Sequence, residues 1–347
     1  MSEYSISQIY PTDKHSLAQI DALLQREGIS RDSNLDYICA MYDDHDDIIA
    51  TGSCFGPTLR CFAVSSEHQG EGLLNEIISH LMEVQYARGN THLFLYTKVN
   101  SAKFFGDLGF HEIARVDGTL VFMENRKTGF PNYLKNLEKT RKEGVSAALV
   151  MNANPFTLGH QYLVETAAKN CDTLHLFVLS EDASLVPFAV RKKLVQQGVA
   201  HIPNVVLHDS GPYIISSATF PSYFLKDEAA VIDGHARLDL AVFTKIAQAL
   251  NVTERYVGEE PTSQVTGLYN KIMIVELPKA GIACHVIPRK ESGGKAISAS
   301  TVRVALRNGD WEQLRTLVPP TTLDYFTSPE ATPVLERIRR TSNVVHY

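Results

Sequence analysis

Residues 146–169 read SAALVMNANPFTLGHQYLVETAAK, and this stretch decides the fold of the second half of the chain. Ala147 to Met151 is an apolar run, the pattern of a strand buried in a parallel sheet. A short loop follows, NANPFTLGH. Leu163, Val164, Ala167 and Ala168 then recur at helical spacing and predict a helix over 161–169. Thr157-Leu158-Gly159-His160 lies where loop becomes helix, and there backbone N–H groups and the helix dipole favour phosphate. Gly159 lets backbone approach a ligand, and His160 can donate to phosphate oxygens or to a leaving group. Nucleotide handling is therefore the first functional question.

Outward from this unit, strands and helices alternate. Leu174–Leu179, Val205–Leu207, Arg255–Val257 and Ala283–Ile287 read as further strands. Phe188–Ala200, Arg237–Leu250 and Thr301–Asn308 read as helices. That rhythm predicts an α/β, doubly wound, Rossmann-like sheet with ligands at the carboxyl ends of its strands. Towards the N-terminus the pattern changes across Asn125–Gly144, a charged stretch containing Gly129-Phe130-Pro131. Its middle, Tyr133 to Lys142, predicts an exposed helix with Leu134 and Leu137 inward. Before it, Glu71–Arg88 is a helix with Leu73, Leu74, Ile77, Ile78, Leu81 and Met82 in register. Leu93–Thr97 is a strand, Ser101–Leu108 a short helix closed by Gly109, and Phe110–Met123 a hairpin turning at Asp117-Gly118. The expected organisation is an α+β domain over 1–125, a linker helix over 126–144 and the α/β domain over 145–347.

Composition bounds the partners. The chain has 347 residues, enough for two domains, with 44% hydrophobic and 21% charged residues. A net charge of −6 gives no basic surplus for a nucleic-acid backbone. The five cysteines form no CxxC pair, and no two of the thirteen histidines lie within four residues of each other. Neither a disulfide framework nor a structural metal site is expected. No signal peptide and no membrane-length apolar run is read, so the expected location is the cytoplasm, with no membrane partner.

Two elements in the first domain point to a diphosphate-bearing ligand. Gln69-Gly70-Glu71-Gly72-Leu73 opens the long helix with glycines that free N–H groups for a diphosphate. Asn100-Ser101-Ala102-Lys103-Phe104-Phe105-Gly106-Asp107-Leu108-Gly109-Phe110 follows. The two resemble the pyrophosphate loop and the N-x-x-A-x-x-F-[YF]-x-x-x-G-F signature of the GNAT acetyltransferases. The resemblance implies a GNAT-like fold over residues 1–125 and binding of a CoA-like arm at Gln69, Gly70, Gly72 and Asn100. Two departures stand out. Leu74 replaces the usual Gly or Ala. The aromatic pair Phe104-Phe105 has no hydroxyl, where many members carry a Tyr general acid. Phe104, Phe105 and Leu108 read as core.

Thr157-Leu158-Gly159-His160 resembles the T/H-x-G-H motif of the nucleotidyltransferase superfamily. Ile297-Ser298-Ala299-Ser300-Thr301-Val302-Arg303 resembles that superfamily's I-S-x-[ST]-x-x-R hallmark. Ser298, Ser300 and Thr301 set hydroxyls and N–H groups at a helix start, an ordinary N-cap at Ser300 or Thr301 being the alternative, and Arg303 adds a fork for phosphate oxygens. The resemblance implies an ATP site at Asn154, Pro155, Phe156, Gly159, His160, Ser298, Ser300, Thr301 and Arg303. Thr157, His160 and Arg303 would be its catalytic residues, and Mg2+ would be held chiefly by ATP and water, without a protein metal site. Arg191 is placed to meet a phosphate or the second substrate and Lys226 to offset repulsion between an incoming anion and ATP, each reading equally as surface charge; Glu259-Glu260 is placed to meet the ribose or the metal and reads equally as a solvated loop.

The order of the two domains, with SEDASLVPFAVRKKLV, YIISSATFPSYFLK, DGHARLDLAVFTKIA and YVGEEPTSQVTGLYN, resembles the citrate lyase ligase family. The resemblance implies the reaction ATP + acetate + thiol-form citrate lyase → AMP + diphosphate + acetyl-citrate lyase, through an acetyl-adenylate. The thiol ends a CoA-like prosthetic group on the lyase's acyl carrier subunit. Two other classes fit the same motifs: a cofactor adenylyltransferase that also carries N-acetyltransferase activity, and a regulatory protein that senses acetyl-CoA and ATP without turnover.

Overall fold

Contacts within the chain divide it into two units, Met1–Tyr133 with Phe220–Ala241, and Leu134–Thr219 with Val242–Tyr347. The structure is a computed structural model and describes residues 4–181, 184–214, 220, 228–260, 264–342 and 344. Lys226 lies outside the described residues. Among those residues, no helix is long and apolar enough to cross a membrane.

The first unit is α+β. Its chain runs β1 (Ile6–Gln8), α1 (Lys14–Arg26), β2 (Tyr37–Tyr42), β3 (Ile48–Phe55), β4 (Thr58–Val64), α2 (Leu73–Ala87), β5 (Phe94–Lys98), α3 (Ala102–Asp107), β6 (His111–Val116) and β7 (Leu120–Glu124). The sheet order is β1-β2-β3-β4-β5-β7-β6. Neighbours are antiparallel except β4 and β5, which pair in parallel at Thr58↔Phe94 and Leu59↔Leu95. Beyond that pairing the two strands splay toward Val64 and Lys98. Leu73, Ile77, Ile78 and Leu81 of α2 share one core with Phe105 and Phe110, and Phe104 and Leu108 pack against it, as the sequence predicts.

The helix α4 (Gly129–Glu138) starts four residues before the expected Tyr133. Pro131 fits its first turn, where a missing N–H costs nothing. The Phe130 N–H is taken by the Glu124 carboxylate at 2.6 Å.

The second unit carries the doubly wound sheet. Its elements are β8 (Ser146–Met151), α5 (Leu158–Ala168), β9 (Thr173–Val178), α6 (Phe188–Gly198), β10 (Val205–Asp209), α7 (Glu228–Leu250), β11 (Val252–Gly258), α8 (Gln264–Glu276), β12 (Ala283–Ile287), β13 (Glu291–Ser292), β14 (Lys295–Ala296), α9 (Ala299–Asn308), α10 (Trp311–Leu317), α11 (Pro320–Thr327) and α12 (Thr332–Arg340). The first part of α7 groups with the first unit. The five strands β10-β9-β8-β11-β12 pair in parallel throughout. Chain order reverses between β8 and β11, so the crevice of the sheet lies at the carboxyl end of β8, where Asn152–His160 begins.

In the second unit, three helix starts differ from the sequence reading. α5 begins at Leu158 because Thr157 caps it. α9 begins at Ala299 because Ser298, not Ser300 or Thr301, is the cap. α7 reaches back to Glu228, since the stretch 228–236 contains no proline to stop it.

Two histidines are buried between β9 and β10. His175 Nδ1 and His208 Nε2 lie 2.9 Å apart, and the Phe177 ring stacks on His208 at 4.8 Å. Burial depresses both to about 4, with Lys142 adding to the effect on His175. The native pair is therefore neutral, while the unfolded rings titrate near their ordinary value of about 6.5. Their contribution to stability is fully present above that value and is lost as pH falls toward 4. Thermal unfolding at stepped pH should show the melting temperature dropping between pH 6.5 and 4. The acid limb should be shallower in a His175→Leu/His208→Leu variant; an equally steep limb would remove the pair from the account.

Candidate active site

Thr157 and His160 lock each other at the start of α5. Thr157 Oγ1 accepts the His160 N–H at 3.2 Å, and His160 Nδ1 accepts the Thr157 N–H at 3.1 Å. This reciprocal cap satisfies two of the helix's first N–H donors. It also fixes the imidazole: with Nδ1 an acceptor, the hydrogen-bond pattern assigns the ring proton to Nε2. The Phe156 ring, fully buried, stacks on the imidazole at 5.8 Å and 16°. His160 keeps part of its surface, yet its pKa falls to about 4, first through desolvation and second through the nearby Arg289 charge. It is thus a neutral donor at physiological pH.

The second motif lands beside the first. A Cβ on Gly159 would stand 3.2 Å from the Ile297 carbonyl oxygen, so the absence of a side chain lets α5 meet the strand end that leads into α9. Ser298 Oγ accepts the Thr301 N–H at 3.1 Å and lies 2.8 Å from the Thr301 hydroxyl. Arg303 is 2% exposed. Its Nε donates to the Val344 carbonyl and its Nη1 to the Asn154 carbonyl, both at 2.6 Å, and Nη2 reaches Ser300 Oγ at 3.4 Å. Where the sequence suggests an open phosphate fork, the structure has a buried tie between α9 and the β8 loop.

Asn154 is itself buried. Its Oδ1 accepts the Val186 N–H at 3.0 Å, and the bond to Pro155 is cis. Asn154 Nδ2 is enclosed without a hydrogen-bond partner among the described residues. Arg191, fully buried, donates to the carbonyls of Val186, Asn152, Leu179 and Glu181. It holds the loop ends rather than facing a phosphate.

Sequence reasoning missed Arg289. It pairs with Glu260 and donates from Nε to the Glu259 carbonyl at 2.8 Å. Lys290 Nζ sits 5.9 Å above the Tyr162 ring on α5. The signal was available: two basic residues follow strand β12 after Pro288, at the end of a parallel strand that faces the crevice. Glu259 and Glu260 form the matching exit of β11. Among the described residues, no group of three His, Cys, Asp or Glu could hold a metal ion.

In the first unit the residues expected to meet a CoA-like arm occupy the ends of the splayed strands. Gln69, Gly70 and Gly72 are exposed after β4, with φ of +93° at Gly70 and +84° at Gly72. Gly72 caps α2 in the left-handed conformation, which only glycine adopts readily. Asn100 is exposed after β5. A small cavity lined by Phe62, Tyr96, Thr97, Ser101 and Phe105 lies in the splay.

Comparison with known proteins gives a consistent family. Residues 146–326 match the model described as the citrate lyase ligase C-terminal domain. The chain is 38% identical over 322 residues to [citrate [pro-3S]-lyase] ligase of Haemophilus influenzae, covering 91% of this chain and 96% of that protein. It is 40% identical over 321 residues to the ligase of the same name from Klebsiella pneumoniae, covering 90% and 93%. Solved structures with partial likeness include a putative acyl-CoA N-acyltransferase from Klebsiella pneumoniae, 19% identical, with a TM-score of 0.30 over 35% of this chain and 96% of that one. Another is Thermotoga maritima TmcAL, 17% identical, with a TM-score of 0.36 over 52% of this chain and 54% of that one. By its near full-length identity to these ligases and its match to their C-terminal domain, the chain belongs to the citrate lyase ligase family.

Proposed function

We propose that this protein is an AMP-forming acid–thiol ligase that acetylates citrate lyase. It joins acetate to the thiol of the CoA-like prosthetic group on the lyase's acyl carrier subunit, at the expense of ATP. The observation that carries this reading is the meeting of the two nucleotidyltransferase motifs at the carboxyl end of β8, through Gly159 against the Ile297 carbonyl and Arg303 on the Asn154 carbonyl. Family membership supplies the acceptor.

The chemistry follows in two transfers. An acetate oxygen attacks the α-phosphorus of ATP, the bond to the β-phosphate oxygen breaks, and diphosphate leaves. The thiolate of the prosthetic group then attacks the acetyl carbon, and AMP departs with the bonding electrons. The first transfer needs in-line positioning and stabilisation of charge on the leaving diphosphate more than covalent chemistry by the protein. His160 presents a neutral Nε2–H for that purpose, and Ser298, Ser300 and Thr301 present hydroxyls and N–H groups at the start of α9. Arg303 acts by holding the Asn154 loop against α9. Mg2+, when bound, supplies counter-charge to the triphosphate and is held chiefly by ATP and water. In the first unit, Gly70, Gly72 and Asn100 receive the CoA-like arm while its thiol attacks. A mixed anhydride already has a good leaving group, so the lack of a hydroxyl at Phe104-Phe105 is no obstacle.

Two variants test this division. His160→Ala should lower acetate-dependent ATP–pyrophosphate exchange by about 100-fold or more. The exchange rate of the parent should show no His160 titration between pH 8 and 5.5, because that ring is already neutral. Gly72→Val, which strains a left-handed position, should spare exchange and slow thiol acetylation by about tenfold. Exchange supported by a phosphorylated cofactor instead of acetate would favour the adenylyltransferase reading, and loss of exchange in the Gly72 variant would end the division of labour.

A further inference from the structure

Resting on the ATP-site reading above, the geometry points to Arg289 as a transferable cation for the diphosphate end of the nucleotide, held by Glu260 in the ligand-free chain and released to the β- and γ-phosphates on binding. Four observations carry it. The pair stands at the carboxyl ends of adjacent parallel strands, β11 and β12, tied together by the Glu259 N–H on the Ile287 carbonyl at 2.8 Å. That is the ligand-facing edge of a doubly wound sheet. The guanidinium and the carboxylate are 21% and 18% exposed, so the charge is partly desolvated yet reachable. Arg289 acts electrostatically on His160, the donor at the start of α5. Its neighbour Lys290 reaches Tyr162 on the same helix, which brings this loop beside α5.

The loop that carries them is also anchored to the second motif. The Ile297 N–H donates to the Lys290 carbonyl at 2.9 Å, and the Ile297 carbonyl meets Gly159. A shift of Arg289 therefore takes place within a fixed frame. The exchange is chemically balanced because it moves no covalent bond. One carboxylate gives up a guanidinium, and a diphosphate end of higher charge takes it, with the guanidinium's planar set of donors suited to phosphate oxygens. Glu260 is then the competitor: its negative charge holds Arg289 back and repels the incoming phosphates. A static structural bridge behaves differently, since removing either partner destabilises the same loop.

Calorimetric titration of the full chain with MgATP, inorganic pyrophosphate and AMP separates these cases, with thermal unfolding run alongside. Arg289→Gln should weaken ATP and pyrophosphate about tenfold or more and leave AMP within about twofold. Glu260→Gln should tighten ATP and pyrophosphate about threefold or more, again sparing AMP. Arg289→Lys should recover part of the ATP affinity. Opposite signs for the two neutralising variants support the proposal. Equal losses for ATP and AMP in both variants, or an ATP affinity unchanged by Arg289→Gln, overturn it. If the parent itself binds no ATP, the ATP-site reading fails with it. If the parent binds ATP and His160→Ala loses it while Arg289→Gln does not, only the present proposal falls.

Discussion

The site depends on one buried guanidinium. Arg303 lies on α9, and its hydrogen bond to the Asn154 carbonyl joins positions 149 residues apart in the chain. Opposite it, Arg191 donates to the carbonyls of Asn152 and Val186, and Asn154 Oδ1 takes the Val186 N–H. The segment Asn152–Asn154 is thus held at both ends by buried arginines using backbone acceptors. That grip places Thr157 where it can cap α5, and Gly159 where α5 can approach Ile297. Removing a buried charged donor of this kind typically costs several kcal/mol, because its acceptors are left enclosed without partners.

The same constraint sets the electrostatics. Carbonyl oxygens satisfy guanidinium donors without cancelling their charge, and desolvation lowers the Arg303 pKa only to about 10, so it stays protonated. Arg303 is thus a buried positive charge beside the Asn154 loop, while Arg289 is paired with Glu260. Desolvation first, and the Arg289 charge second, keep the His160 imidazole from protonating. His160 is neutral, its Nδ1 accepts from the backbone, and only its Nε2–H is left to donate. Under the proposed reaction, a neutral donor suits a ligand whose charge moves from one phosphate to the next, because the ring keeps one proton state throughout.

What the sequence makes legible is what its local chemistry encodes. The apolar run 147–151, the alternation of strands and helices, and the two Ser/Thr-rich helix starts are short-range patterns, and each forms the expected element. The choice of Ser298 over Ser300 as cap depends on φ and ψ at a single residue, which the spacing of hydroxyls does not fix. α8 escaped notice because Leu268, Ile272, Met273, Ile274 and Val275 surround the helix rather than form a stripe, and three of them stay exposed. The carbonyl partners of Arg191 and Arg303 were beyond reach for a different reason. A backbone oxygen carries no residue identity, so a bond to one leaves no mark in the sequence. The grouping of Phe220–Ala241 with the first unit is likewise a product of long-range contact alone, with Phe220 edge-on to Tyr96 at 5.8 Å.

The first unit then has a chemical logic that its departures from the GNAT pattern sharpen. Transfer of acetyl from a thioester to an amine expels a thiolate, a step that profits from a proton donor beside the sulfur. Transfer from an adenylate to a thiol expels AMP, whose phosphate needs none, and the sulfur is the entering group instead. Under the proposed reaction, selection on the first unit falls on holding the arm and leaves the acid unused. Its residues follow that division. The positions that would have carried a hydroxyl, Phe104 and Phe105, are absorbed into packing against Leu73, Ile77 and Phe110. The left-handed glycines after β4 stay exposed at the end of the splay, where a diphosphate can approach backbone N–H groups.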